Sequence, residues 1–202
     1  MKRLITALSL LLFTTAVFAI EPPDVLVKRT AEDVLSVVKS DKDIQAGNQD
    51  KIFTLAEEKI VPNFDFEKVS RLVLGKNWTR ATPAQKDGFR TEFKTLLIRT
   101  YANALSKYKD QKIEYKPFRM DDGASDATVK TVILQRGGQP IAVDYDLSKT
   151  ADAWKVYDIV IEGVSLVTNY RSQFSQEIRE NGMDSLVTKL AAKNRDFAAN
   201  KH

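Results

Sequence analysis

The sequence predicts an α+β fold: an antiparallel sheet of about four strands packed with N- and C-terminal helices. Three observations carry this prediction. Apolar residues recur at helical spacing up to about Tyr108, at a spacing of two from Ile113 to Ile161, and at helical spacing again after Ser165. The connections between the predicted strands are short, which implies antiparallel pairing. No repeat, low-complexity tract or long linker separates these regions.

The elements follow in chain order. Lys2 and Arg3 precede an apolar stretch from Leu4 to about Phe18, and Val17 and Ala19 are the small residues of a signal-peptidase site. Residues 1–19 therefore read as a cleavable secretory signal, and residues 20–202 as a single domain of intimately packed helical and sheet parts. No later segment approaches the roughly 18 apolar residues of a membrane span. Asp24 is a candidate N-cap for a helix with Val27, Ala31, Val34 and Val38 on one stripe. A polar break around Gly47 precedes a helix carrying Ile52, Leu55, Ala56 and Ile60, which Pro62 ends. Asp65 caps a short helix with Phe64 and Val69 placed as a hydrophobic staple and Gly75 at its C-terminal end. Thr82-Pro83-Ala84-Gln85 is a capping box that opens a long helix bearing Phe89, Phe93, Leu96, Leu97, Tyr101, Ala104, Leu105 and Tyr108.

In the stranded region, Ile113 and Tyr115 alternate with charged residues, and Val129, Thr131 and Ile133 share one face. Gly137-Gly138 signals a hairpin into a strand whose Ile141, Val143, Tyr145 and Leu147 share a face. Strict alternation along the next strand places Trp154, Val156 and Val160 on one side and Tyr157, Ile159 and Ile161 on the other. Apolar residues on both faces imply cover, or something bound, on each side. Ser165 caps a helix through Leu166, Tyr170, Phe174 and Ile178, Asn181-Gly182 breaks it, and Leu186, Val187, Leu190 and Phe197 mark a last helix.

Composition narrows the chemistry. With 0 Cys and 1 His, the terminal His202, the chain has no disulfide, thiolate zinc site or cysteine nucleophile, and serine–histidine triads and multi-histidine metal sites are effectively excluded. No phosphate-binding glycine loop is present. Without Lys2 and Arg3, 29 basic residues face 27 acidic ones, a net charge of +2 that does not suit nucleic acid. Asp121-Asp122 and Glu57-Glu58 read as solvated pairs, and Asp144 and Asp146 as the solvent face of a sheet. Asp158, between Tyr157 and Ile159, reads as a structural hydrogen-bonding group; paired with Tyr157 it would be the one foothold for an enzyme, but adjacent strand residues point to opposite faces. Arg71, Lys76 and Arg80 surround Trp78, either as a mouth that tolerates phosphate head groups or as a solvated corner anchored by the indole.

Broad apolar helix faces opposite a sheet apolar on both sides leave room for an uncharged gap suited to acyl chains, each buried methylene gaining roughly 0.8 kcal/mol. The candidate wall combines Phe93, Leu97, Tyr101 and Leu105 of the long helix with Val143, Tyr145, Val156 and Val160 of the sheet, closed by Leu74, Trp78, Val164, Leu166, Tyr170 and Phe174.

Three stretches resemble a known family. They are Phe64-Asp-Phe-Glu-Lys-Val-Ser-Arg-Leu-Val-Leu-Gly-Lys-Asn-Trp78, the run from Phe89 through Phe93 to Leu105, and Trp154-Lys-Val-Tyr-Asp-Ile-Val-Ile-Glu-Gly-Val-Ser-Leu-Val-Thr-Asn-Tyr-Arg-Ser-Gln-Phe174. Their order and spacing resemble the MlaC, or toluene-tolerance, family of periplasmic phospholipid-binding proteins, auxiliary components of ABC-type transport systems. The resemblance implies an NTF2-like sheet and a cavity that holds phospholipid tails with the head group in water. It also implies shuttling between an outer-membrane lipoprotein–porin complex and an inner-membrane ABC transporter with its substrate-binding ring, which maintains outer-membrane lipid asymmetry. It brings no catalytic residues and no cofactor; phospholipid is cargo. The competing expectation is a periplasmic adaptor of the same envelope machinery whose helices pack a dry core.

Overall fold

The computed structural model describes residues 20–108 and 111–199; the expected signal segment and His202 lie outside them. Helix α1 spans Pro23–Ser40. It begins two residues before the position that an Asp24 cap would give. Pro23 supplies the fixed φ of a first turn, and Asp24 sits within that turn, where a negative charge favours the positive helix end. Short helices α2 (Lys42–Gln45) and α3 (Gln49–Leu55) follow, capped by the side chains of Asp41 and Asn48. The chain then widens into a π turn at Ala56–Ile60 and tightens into a 3₁₀ turn at Val61–Asn63 around Pro62.

Helix α4 (Phe66–Leu74) starts at Asp65, whose carboxylate accepts from the Lys68 amide at 2.8 Å. It stops at Gly75, where φ is +52° and the Arg171 guanidinium lies 2.9 Å from where a Cβ would stand. The positive φ favours glycine there, and a side chain would also have to displace the Arg171 guanidinium. Helix α5 is Lys76–Arg80 and α6 is Pro83–Ser106, the latter opened by the complete Thr82–Gln85 capping box.

Strands β1 (Lys112–Tyr115), β2 (Asp126–Leu134), β3 (Ile141–Lys149), β4 (Trp154–Ile161) and the two-residue β5 (Val164–Ser165) form one antiparallel sheet in chain order. Ser165 then caps α7 (Leu166–Asn181), Gly182 ends it at φ +84°, and α8 (Met183–Ala199) closes the described chain.

The register corrects the expected alternation on β4. Asp146 pairs with Asp158 but Leu147 pairs with Val156, so Tyr157 is the extra residue of a β-bulge. Val143 faces Ile161 and Tyr145 faces Ile159 across the ladder, whereas Val160 is opposite Asp144. Directly paired residues share a face. Val156, Ile159 and Ile161 therefore lie with Val143 and Tyr145, and Val160 lies on the other face.

Apolar burial is divided among three clusters. The first joins α4, α6, α7 and α8 through Val69, Val73, Leu74, Phe89, Phe93, Leu96, Tyr170, Phe174, Leu186 and Leu190. The second lays Leu26 and Val27 of α1 on Val129, Leu147, Trp154 and Val156 of the sheet. The third gathers Val34, Val38, Ile44, Ile52 and Leu55 of α1–α3, with Leu105 and Tyr108 against it. Small domains usually bury one continuous core. Here α6 packs mainly on α8, α3 and α4, while α1, α4 and α7 cover the sheet.

Candidate functional site

The inner face of the sheet carries Ile113 and Tyr115 of β1, Val129, Thr131 and Ile133 of β2, Ile141, Val143 and Tyr145 of β3, and Ile159 and Ile161 of β4. β-branched and aromatic side chains dominate it, as a pleated surface under cover favours. Its buried polar groups are satisfied or neutral. Thr131 donates its hydroxyl to the Val143 carbonyl at 2.8 Å. Burial pushes the Tyr145 phenol above its ordinary value, which a hydrogen bond with Thr131 partly offsets. Burial, with the charge of Glu32 and the neighbouring Tyr145, pushes Tyr115 up to about 12. These phenols are uncharged at neutral pH, so the wall presents hydroxyls and hydrocarbon and no carboxylate or ammonium.

Apart from Lys149, which pairs with Trp154 at the end of β3, the charges of the sheet are on the opposite face. Asp144 lies 4.0 Å from Lys130, and Asp146 accepts from the Thr128 hydroxyl at 2.6 Å. Asp158 is fully engaged in structure. It accepts from the amides of Ile159 (2.8 Å) and Val167 (3.0 Å) and from the Ser165 hydroxyl, while Ser165 caps α7 through the Thr168 amide at 3.0 Å. Its neighbour Tyr157 packs on the helical cluster, with the Lys68 ammonium 3.8 Å from its ring centre. The Asp158 oxygens serve the joint between β4 and α7. Among the described residues no group of three or more His, Cys, Asp or Glu could hold a metal ion.

The fourteen residues of the expected wall separate into groups. Leu74 and Phe93 are each 1% exposed and, with Tyr170 and Phe174, are held within the helical cluster, so protein side chains cover them rather than a ligand. Trp78 and Leu97 are half-buried against the same cluster, and the Lys86 ammonium lies 5.1 Å from the indole centre. Tyr145 and Val156 join the sheet–α1 cluster, and Leu105 packs on the third. Val143, 6% exposed, lies on the inner face outside all three clusters. Val160 is removed to the other face by the bulge, and Val164 stands at the β5 edge with 57% exposure, beside half-buried Leu166.

Tyr101, 38% exposed, meets Tyr170, whose phenol burial pushes up to about 12 with Tyr101 adding to the rise. What the periodicity missed is the role of α1 as roof of the sheet and the place of Ile159 and Ile161 on the same face as Val143 and Tyr145. The first signal was present in the Val27 stripe. The second was masked by the bulge.

A helix-roofed antiparallel sheet with an uncharged inner face, and carboxylates spent on capping and ion pairing, offers an apolar binding surface. The chain belongs to the MlaC protein family, whose family model matches residues 28–192. It is similar to the toluene tolerance protein ttg2D of Pseudomonas putida, 28% identical over 173 residues that span 85% of this chain and 80% of that protein. It is also 25% identical over 186 residues to the intermembrane phospholipid transport system binding protein MlaC of Haemophilus influenzae, spanning 91% and 87% of the two chains. Its fold superposes with a TM-score of 0.81 on the phospholipid-binding protein of Ralstonia solanacearum solved in complex with a phospholipid, at 39% identity over 87% of this chain and 98% of that one. Among the described residues no helix is long and apolar enough to cross a membrane.

Proposed function

We propose that this protein is a periplasmic phospholipid carrier. The observation that supports it best is the likeness to the phospholipid-bound Ralstonia protein over nearly that protein's whole length. The physical reading agrees, because an uncharged inner sheet face opposite the second half of α6 suits acyl chains. The proposed wall consists of Leu97, Tyr101 and Leu105 on α6 and of Val143, Tyr145, Ile159 and Ile161 on the sheet. In this reading residues 1–19 direct export and are removed, and residues 20–202 act as one domain. The carrier then loads and unloads at an outer-membrane lipoprotein–porin complex and at an inner-membrane ABC transporter with its substrate-binding ring.

Exchange of this kind needs cavity and bilayer to hold lipid almost equally well. Each methylene gains roughly 0.8 kcal/mol in either apolar environment, so an uncharged container returns its cargo without a chemical step. The test is to extract the purified mature protein with organic solvent and analyse it by mass spectrometry. Phospholipid near one molecule per protein is expected; none at all would leave the adaptor reading in its place.

A further inference from the structure

A concavity lies away from the sheet, where α5, the start of α6, α7 and the start of α8 meet. It is a cleft of about 410 Å³ lined by Asn77, Arg80, Ala81, Gln85, Ser175, Ile178, Arg179 and Met183. Its lining is mainly polar, with an apolar part supplied by buried Ala81 and half-buried Ile178 and Met183. Its rim is basic, for Arg80 and Arg179 are exposed and make no ion pair or hydrogen bond among the described residues. Elsewhere cations are commonly engaged: Lys51 bonds Asp41 and Asp43, Lys94 bonds Glu57, and Lys189 bonds Glu177, all within 2.9 Å. Two acids border the cleft and keep their charge: Asp184 accepts from the Gln85 amide at 2.8 Å and Glu180 from the Gln176 amide at 3.0 Å, and neither pairs with Arg80 or Arg179. The Asn77 amide and Ser175 hydroxyl have no side-chain hydrogen-bond partner among the described residues and are free to meet a main chain.

We propose that this cleft docks an acidic segment of a partner protein, with carboxylates on Arg80 and Arg179 and an apolar side chain on Ile178 and Met183. The charge of the rim selects an anionic partner. The recessed floor selects a chain over a bilayer, because a flat lipid surface reaches the rim arginines but cannot insert a side chain between them. Docking here leaves the inner sheet face uncovered and does not depend on the nature of the cargo.

The experiment measures binding of three fluorescent twelve-residue peptides to the mature protein by anisotropy: alternating Glu-Leu, alternating Glu-Ser and alternating Lys-Leu. The Glu-Leu peptide is expected to bind, at least fivefold tighter than Glu-Ser and with affinity that falls as salt rises. The Lys-Leu peptide should not bind. The R80E/R179E double variant should lose at least tenfold in Glu-Leu affinity, while K112E/R119E, altered on and just beyond the distant β1 strand, retains it. Circular dichroism and lipid content confirm that each variant is folded. Absent Glu-Leu binding, equal binding to R80E/R179E, or equal binding of Glu-Ser overturns the proposal. Sedimentation with vesicles of one part phosphatidylglycerol to three parts phosphatidylcholine, lost in R80E/R179E, would overturn it in favour of a lipid surface.

Discussion

Where α4, α6, α7 and α8 meet, Phe89, Phe93, Tyr170 and Phe174 stack edge and face with ring centres 5.0–5.7 Å apart. Further along the same α6, Leu97 and Leu105 are only half-buried, as are Ile133, Ile141, Ile159 and Ile161 on the inner face of the sheet. The residue types are alike and the degree of closure is not. Complete closure gives stability, because every ring face has a protein partner. Incomplete closure leaves apolar surface that a ligand can cover. A single helix thus serves as pillar at one end and, in the proposed carrier, as wall at the other.

The sharpest way to break this contrast is to cut into the closed end. Phe93→Ala removes a ring that contacts three other aromatic rings and should cost about 3–5 kcal/mol, read from the urea midpoint. The folded fraction should carry lipid as before. A cost below about 1 kcal/mol would show that the helical cluster is no better closed than the wall.

The joint between the two regions comes next. Asp158 ties β4 to the start of α7 through two donors, so Asp158→Ala strands the Val167 amide and the Ser165 hydroxyl. A loss of about 2 kcal/mol is expected, typical for hydrogen bonds to a charged acceptor. Accelerated amide exchange at the start of α7 should accompany it, and unchanged exchange there would remove Asp158 from this role.

On the open side the expected stability effect is smaller and the functional effect larger. An added indole in a closed core costs about 1–3 kcal/mol by overpacking. Leu97→Trp and Val143→Trp should cost less than that, about 1 kcal/mol or under, and should abolish most phospholipid loading. Full lipid content in both folded variants would reject the assignment of this wall.

Much of the frame was legible in local chemistry. The Thr82–Gln85 capping box, the Asp65 and Ser165 caps and the Gly75 stop each depend on a few neighbouring residues, and each is found as the sequence suggests. The π turn at Ala56–Ile60 and the bulge at Tyr157 were not legible. Both arise from how distant segments dock, and the bulge alone reversed the facing of Val156 relative to Val160. Periodicity likewise marked Phe93 and Leu97 as apolar without distinguishing them. What separates them is Tyr170 and Phe174, some eighty residues on, which cover one and leave the other half-buried.

The smallest effect compares the regions by titration. Tyr170 in the closed cluster and Tyr115 on the sheet wall both have phenols raised to about 12, from an ordinary value near 10, with burial the main cause in each. Below pH 10 both folded and unfolded chains hold these protons, and the phenols add no pH dependence. Between about pH 10 and 12 the unfolded chain releases them first, so stability falls as pH rises through this window. Tyr170→Phe and Tyr115→Phe should each flatten the decline of the urea midpoint between pH 10 and 11.5. Bound lipid over the inner face should hold the Tyr115 proton more firmly and act less on Tyr170, which it reaches only through Tyr101. The lipid-loaded and delipidated proteins should therefore differ in the wild type and converge in Tyr115→Phe. An equal lipid effect on both tyrosines would mean that cargo reaches the closed end, and the division between pillar and wall would fail.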